Sequence, residues 1–221
     1  MTSSFSRKRA GRIFKIALLG DGGVGKTALK ERFLGKGFQS SYMMTVGADF
    51  AIYSTEINGE QVKLQIWDLA GQDRFKEVRT AYYQGALGAL MVYDVTRKDS
   101  AENLVHWKEE LLKHGNENPA MILVGNKIDL RDKDPTALNN KAGKRVAESL
   151  GNVNYVETSA KEDLNVPKAF MDLANTIYSS ITGIQLEEAI PEKEDVKQPS
   201  TKKLTKKKPK RKKKVKKKAK T

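Results

Sequence analysis

The chain has 221 residues, with 41 basic and 27 acidic side chains, a formal net charge of +14 and no cysteine. That length fits one domain plus extensions. The missing cysteine excludes disulfides, thiolate catalysis and cysteine-ligated zinc, and no prenyl lipid anchor is expected.

No apolar run approaches the roughly 20 residues that span a bilayer. The basic residues 1–11 carry no secretory signal pattern, so a cytoplasmic protein is expected. His106 and His114 have no metal-like spacing and read as helix residues.

In chain order, Ile13 to Leu19 is a short apolar run ending at glycine, which suits a buried strand. A glycine-rich loop, Gly20 to Thr27, leads into a helix over Thr27 to Leu34, then an irregular segment to Gly47. Strands over Asp49 to Ile57 and Gln61 to Trp67 flank Asn58-Gly59, a strong hairpin signal. Another apolar strand spans Leu87 to Val95. The following helix should be capped by Asp99 or Ser100, with Leu104, Trp107 and Leu111 on one face. A strand over Met121 to Val124, a helix over Thr136 to Leu150, a strand over Val153 to Val156 and a helix over Val166 to Ile181 complete the pattern.

Strands alternating with helices predict an α/β fold. Its six-stranded sheet is mainly parallel, with one antiparallel edge strand and helices on both faces. Residues 12–183 form the expected globular domain, after a basic arm at 1–11. An acidic linker follows at 184–196, then a disordered lysine-rich tail at 197–221. Without the 15 basic residues of that tail, 26 basic side chains face 27 acidic ones, a net charge of −1. The basic character of the chain therefore belongs to the tail. Its lysines suit an anionic membrane surface, or RNA and the ribosome by counterion release. No aromatic residue interleaves with them to stack on bases.

Gly20-Asp-Gly-Gly-Val-Gly25-Lys26-Thr27 has the glycine-rich phosphate-loop spacing. Its amides, from Gly22, Gly23, Val24 and Gly25 into Lys26, Thr27 and Ala28, should cradle phosphate oxygens. Lys26 should reach the β- and γ-phosphates, and the Thr27 hydroxyl should bind Mg²⁺. Asp68-Leu-Ala-Gly71-Gln72 ends a strand; Asp68 can hold Mg²⁺ through water, Gly71 can present an amide to a terminal phosphate, and Gln72 can orient a water. Asn126-Lys127-Ile-Asp129 offers a carboxylate that accepts two hydrogen bonds from guanine, which adenine cannot supply. Lys127 can lie along the base, and Ser159-Ala160-Lys161 can offer an amide to the guanine carbonyl.

Together with Thr45-Val-Gly-Ala-Asp-Phe50, Trp67-Asp-Leu-Ala-Gly-Gln-Asp-Arg-Phe75, Tyr82-Tyr-Gln-Gly85 and Tyr93-Asp-Val-Thr96, these motifs resemble the small GTPases of the Ras superfamily, from about Arg12 to Ile181. The wording is most like the Rab branch. The resemblance implies a P-loop NTPase fold and slow hydrolysis of GTP to GDP with Mg²⁺, and a monomer is expected. It makes Lys26, Thr45 and Gln72 the catalytic residues, and Thr27, Thr45 and Asp68 the Mg²⁺ set. It places Phe38 at the edge of the guanine and Phe50, Trp67 and Tyr82 in an aromatic surface for effectors, the alternative for these three being core packing. Exchange factors and GTPase-activating proteins would act at the switch segments. The chain departs from Rab wording at Leu69 and Asp73 and in lacking C-terminal cysteines. Two other readings are a GTP-dependent factor anchored to nucleic acid and a GTP-binding module that does not turn over. Intact Gln72 and Gly22 count against the second.

Overall fold

The computed structural model describes residues 11–38, 45, 47–72 and 76–186. The basic arm up to residue 10, Asp73, the linker from residue 187 and the lysine-rich tail lie outside the described residues. No helix among the described residues is long and apolar enough to cross a membrane.

Strand β1 (Arg12–Leu19) enters a glycine loop and helix α1 (Lys26–Phe33). Strands β2 (Ala48–Ile57) and β3 (Glu60–Leu69) pair antiparallel from Ala48↔Leu69 to Ile57↔Glu60. Their turn is closed by Asn58 and Gly59 at φ 49° and 74°, the left-handed geometry that an Asn-Gly hairpin supplies. Helix α2 (Lys76–Tyr83), β4 (Gly88–Asp94), α3 (Lys98–Glu102), α4 (Leu104–His114) and β5 (Ala120–Asn126) follow. A 3₁₀ segment (Ile128–Lys133), α5 (Asn140–Ser149), β6 (Asn154–Glu157) and α6 (Val166–Thr182) complete the domain.

The sheet order is β2-β3-β1-β4-β5-β6, with every pair parallel except β2–β3. The order reverses at β1, so the loop leaving β1 opens at the switch point where such sheets bind ligands. Alternation along the central strands buries both faces. Phe14, Ile16, Leu18, Leu90, Val92, Ile122 and Val124 pack with α1 and α6. Ala17, Leu19, Ala89, Met91, Tyr93 and Leu123 pack with Trp107, Leu111 and Ala147 on the other face. The expected six-stranded α/β architecture is the one observed.

The helices differ from expectation in three places. Ser100 is fully buried: its hydroxyl accepts from the Asp94 amide at 3.1 Å and donates to Arg97 O at 2.6 Å. It therefore caps nothing; the helix begins at Lys98 and breaks at Asn103 before α4. Helix α5 begins at Asn140 rather than Thr136. Asn139 accepts from the Ala142 amide at 3.0 Å, while Thr136 is held in a turn by Asp134. Helix α2 has no apolar stripe to announce it, because its buried face carries Arg79.

Gly143 lies inside α5, where alanine has the better helix propensity by roughly 1 kcal/mol. A Cβ there would stand 2.2 Å from Tyr155 Oη. That hydroxyl is held by Tyr93 and Glu157, each at 2.9 Å, so the ring has little room to yield. Gly143→Ala should therefore destabilise the protein by about 1–3 kcal/mol. A rise in its urea midpoint would show that the helix, and not the ring contact, governs this position.

Candidate functional site

Helix α1 starts at Gly25, whose φ of 101° is left-handed. A side chain at this position would also collide with Asn126 Nδ2 at 2.3 Å. The first turn of α1 has neither a side-chain cap nor an acidic residue. Its amides are thus left for an anion at the positive end of the helix dipole. Lys26 is buried, and its ammonium donates to carbonyls rather than a carboxylate, Gly20 O at 2.5 Å and Asp21 O at 2.9 Å. Burial lowers its pKa to about 8, against the opposing pull of Asp68 and Asp21. A buried cation with only dipolar partners suits phosphate oxygens.

At the same end of the helix, Thr27 Oγ1 donates to Asp68 Oδ2 at 2.5 Å and lies 3.0 Å from Thr45 Oγ1. Asp68 is fully buried, and its second oxygen, Oδ1, has no hydrogen-bond partner. Burial raises the Asp68 carboxyl pKa, while Thr27, Lys26 and Lys30 pull it back. Two hydroxyls and a desolvated carboxylate with an unsatisfied oxygen fit a hard divalent cation such as Mg²⁺.

Three loops meet behind the phosphate loop. Asn126 donates to Val24 O at 2.9 Å and accepts from Thr158 Oγ1 at 3.1 Å and the Ala160 amide at 3.3 Å. Lys127, itself left-handed at φ 68°, donates to Gly23 O at 2.7 Å and pairs with Asp94 at 2.6 Å. Ser159 Oγ donates to Asp129 Oδ1 at 2.6 Å; Lys161 Nζ stands 4.0 Å from the other oxygen. Arg32 of α1 fastens the same loop through Ala160 O and Lys161 O, both at 3.0 Å. Phe38 is 42% exposed, so its ring keeps a face that no protein atom covers.

Gly71 rests directly on the phosphate loop; a Cβ there would fall 2.5 Å from Gly22 N. A Cβ on Gly22 would in turn lie 3.5 Å from Gln72 Cγ. These residues line one wall of a cleft of about 660 Å³ whose opposite wall is α4. Two arginines reach this cleft. Arg79, buried between Glu110 and the face of Trp107, donates to Gln72 O at 2.9 Å. Arg97 donates to Gly22 O at 2.9 Å. Asp21 is fixed by Trp107 Nε1 at 2.9 Å and Asn103 Nδ2 at 2.8 Å. On the face of β3 opposite Asp68, Trp67 packs at a tilt between Phe50 and Tyr82, with ring centroids 4.8 and 5.1 Å apart. The indole N–H of Trp67 is buried without a partner.

Residues 15–179 match the model of the Ras family. Ras-related protein Rab-8 of Diplobatis ommata is 38% identical over 196 residues, covering 86% of this chain and 92% of its own. Ras-related protein RABE1d of Arabidopsis thaliana is 44% identical over 170 residues, 77% of this chain and 78% of its own. Ras-related protein SEC4 of Saccharomyces cerevisiae is 42% identical over 184 residues, 83% of this chain and 84% of its own. The chain belongs to the Ras family. It is a small GTPase near the Rab branch, and as a member of that family it binds GTP and GDP with Mg²⁺ and hydrolyses GTP.

The phosphate loop, Asp68, Gly71, Gln72, Asn126 to Asp129 and Ser159 to Lys161 lie at this one end of the sheet. Arg79 and Arg97, which no motif of the sequence includes, both reach the cleft. Arg32 and Asn103, also outside the motifs, hold motif residues from other elements. No spacing marks such residues, because each acts through a contact between segments distant in the chain.

Asn126 joins three loops with one side chain. Asn126→Ala should cost about 1–3 kcal/mol of stability by leaving buried backbone groups unpaired, and guanine-nucleotide affinity should fall with it. Unchanged GDP affinity by fluorescence titration would mean that the loops hold their geometry without this link.

Proposed function

We propose that this Ras-family GTPase is a GTP-dependent switch held at an anionic membrane surface by its lysine-rich tail. The observation that carries the switch is the meeting of Thr27, Thr45 and Asp68 at the mouth of the phosphate loop. Thr45 belongs to the segment before β2, outside α1 and β3, and a hydroxyl contact alone is a weak tether. A cation and a terminal phosphate would tighten it.

In this reading the amides of Gly22, Gly23, Val24, Gly25, Lys26, Thr27 and Ala28 hold the phosphates of GTP. Thr27, Thr45 and Asp68 hold Mg²⁺, which supplies positive charge to offset the charge developing on the phosphate oxygens. Lys26 adds its ammonium at the β- and γ-phosphates. Asp129 accepts from the two guanine donors, with Lys127 along the base, the Ala160 amide at its carbonyl and Phe38 at its edge. Ser159 and Lys161 fix Asp129. Gln72 orients the attacking water beside Gly22. Thr45 and the Gly71 amide both contact the γ-phosphate, so its loss frees the segments 35–47 and 69–83 together. Effectors read the Phe50, Trp67 and Tyr82 surface, and exchange factors and activating proteins work on the two segments.

The tail carries 15 cations and no acidic residue, while the rest of the chain has a net charge of −1. Membrane affinity therefore resides in the tail, and the protein sits peripherally on the cytoplasmic face. Juxtamembrane lysines contribute up to about 1 kcal/mol each near anionic lipid, less than additively.

Gln72→Leu should slow single-turnover GTP hydrolysis at least about tenfold and leave GTP affinity intact. An unchanged rate would remove Gln72 from the mechanism. Truncation after Val196 should abolish sedimentation with phosphatidylserine vesicles without altering hydrolysis, and binding of the intact chain should weaken steeply from about 50 to 200 mM salt. Tighter binding of the intact chain to RNA than to vesicles at matched salt would overturn the membrane reading.

A further inference from the structure

Helix α1 carries Lys30 three residues beyond Thr27 and four beyond Lys26, on the same helix face. Its neighbours Leu29 and Phe33 are core residues, and Lys30 is only 1% exposed. Its ammonium is ion-paired with Asp49 and stands 3.8 Å from Asp68 Oδ2, with Glu31 at 3.6 Å. Asp68 Oδ2 is the oxygen that also accepts the Thr27 hydroxyl. Asp49 in β2 faces Asp68 in β3 across the antiparallel ladder. A buried ammonium thus bridges two carboxylates directly behind the hydroxyl–carboxylate cluster.

As a simple ion pair this arrangement is poorly placed. The Asp49 side chain is 59% exposed and could be hydrated without help. Burying an ammonium is costly, and an apolar residue would suit the core position better. What the position does achieve is a fixed positive charge beside the one carboxylate of the cluster.

We propose that Lys30 is a resident cation that lowers the affinity of the site for Mg²⁺ and makes nucleotide retention less dependent on the metal. The proposal rests on the reading of Thr27, Thr45 and Asp68 as the Mg²⁺ site. With the metal bound, Lys30 repels it and competes for the charge of Asp68. With the metal gone, Lys30 still screens Asp68 from the phosphates, which a bare buried carboxylate would repel. Both effects follow from one charge at short range in a poorly solvated site.

The test compares the full chain with Lys30→Met, using release of a fluorescent GDP analogue across free Mg²⁺ concentrations and in EDTA. The variant should reach half-maximal Mg²⁺ protection at a concentration at least about tenfold lower. The ratio of its release rate in EDTA to that in saturating Mg²⁺ should grow by a similar factor. General damage to the fold would speed release in both conditions and leave the ratio alone. Lys30→Gln keeps a donor for Asp49 but drops the charge, so it should shift both quantities the same way; it serves where the Met variant folds poorly. An unchanged midpoint and ratio in these variants, with Mg²⁺-dependent release in the unmutated chain, would overturn the role of Lys30 alone. Release from the unmutated chain at one rate with and without Mg²⁺ would overturn the site reading and the proposal with it.

Discussion

Two incompletely satisfied charges govern this molecule. Lys26 is a buried ammonium whose hydrogen bonds go to carbonyls, and Asp68 is a buried carboxylate with one oxygen left without a hydrogen-bond partner, although Lys30 stands 3.8 Å from the other. Both states are costly in a protein interior. They lie at the open end of α1, whose first-turn amides have no side-chain cap. The domain therefore carries an unmet demand for a polyanion and a divalent cation at one point. In the reading proposed above, a nucleotide phosphate with Mg²⁺ would satisfy both demands at once and so couple its binding to the stability of the fold.

The sheet brings the required loops to that point. β1, β3, β5 and β6 each end on the same edge, and each delivers one motif. Asn126 and Lys127 then lock the loops after β5 and β6 to the carbonyls of Val24 and Gly23. The base-side loops thus inherit the position of the phosphate loop rather than setting their own. Asp94, at the end of β4, fixes Lys127 by an ion pair, so β4 contributes as well.

How far the sequence could be read follows from the range of the interactions involved. The phosphate loop, the Asn58-Gly59 hairpin and the six strands are local patterns of glycine, turn chemistry and apolar runs, and they were legible. Helix α2 was not, because its buried face is an arginine held by Glu110 and Trp107, residues of a helix that comes later. The break at Asn103 was missed because Ser100 looks like a cap and turns inward to Asp94. No local pattern marks Lys30 on α1; only the pairing of β2 with β3 puts two carboxylates against it. Within the site, the motif residues were visible, and the side chains that orient them were not.

The same pairing joins the chemistry to the surface. Asp49↔Asp68 and Phe50↔Trp67 are adjacent rungs of one ladder. Strand side chains alternate between faces, so a rung turned toward Lys30 is followed by one on the opposite face of the sheet. Phe50 is 42% exposed and packs on Trp67, which packs on Tyr82 of α2. A shift of β2 or β3 by a fraction of an ångström at Asp68 is thus carried one residue along a stiff strand into an aromatic cluster. Aromatic groups of this kind dominate the energetics of protein contacts. The charged rung behind the hydroxyl–carboxylate cluster and the aromatic rung are thus consecutive in both strands.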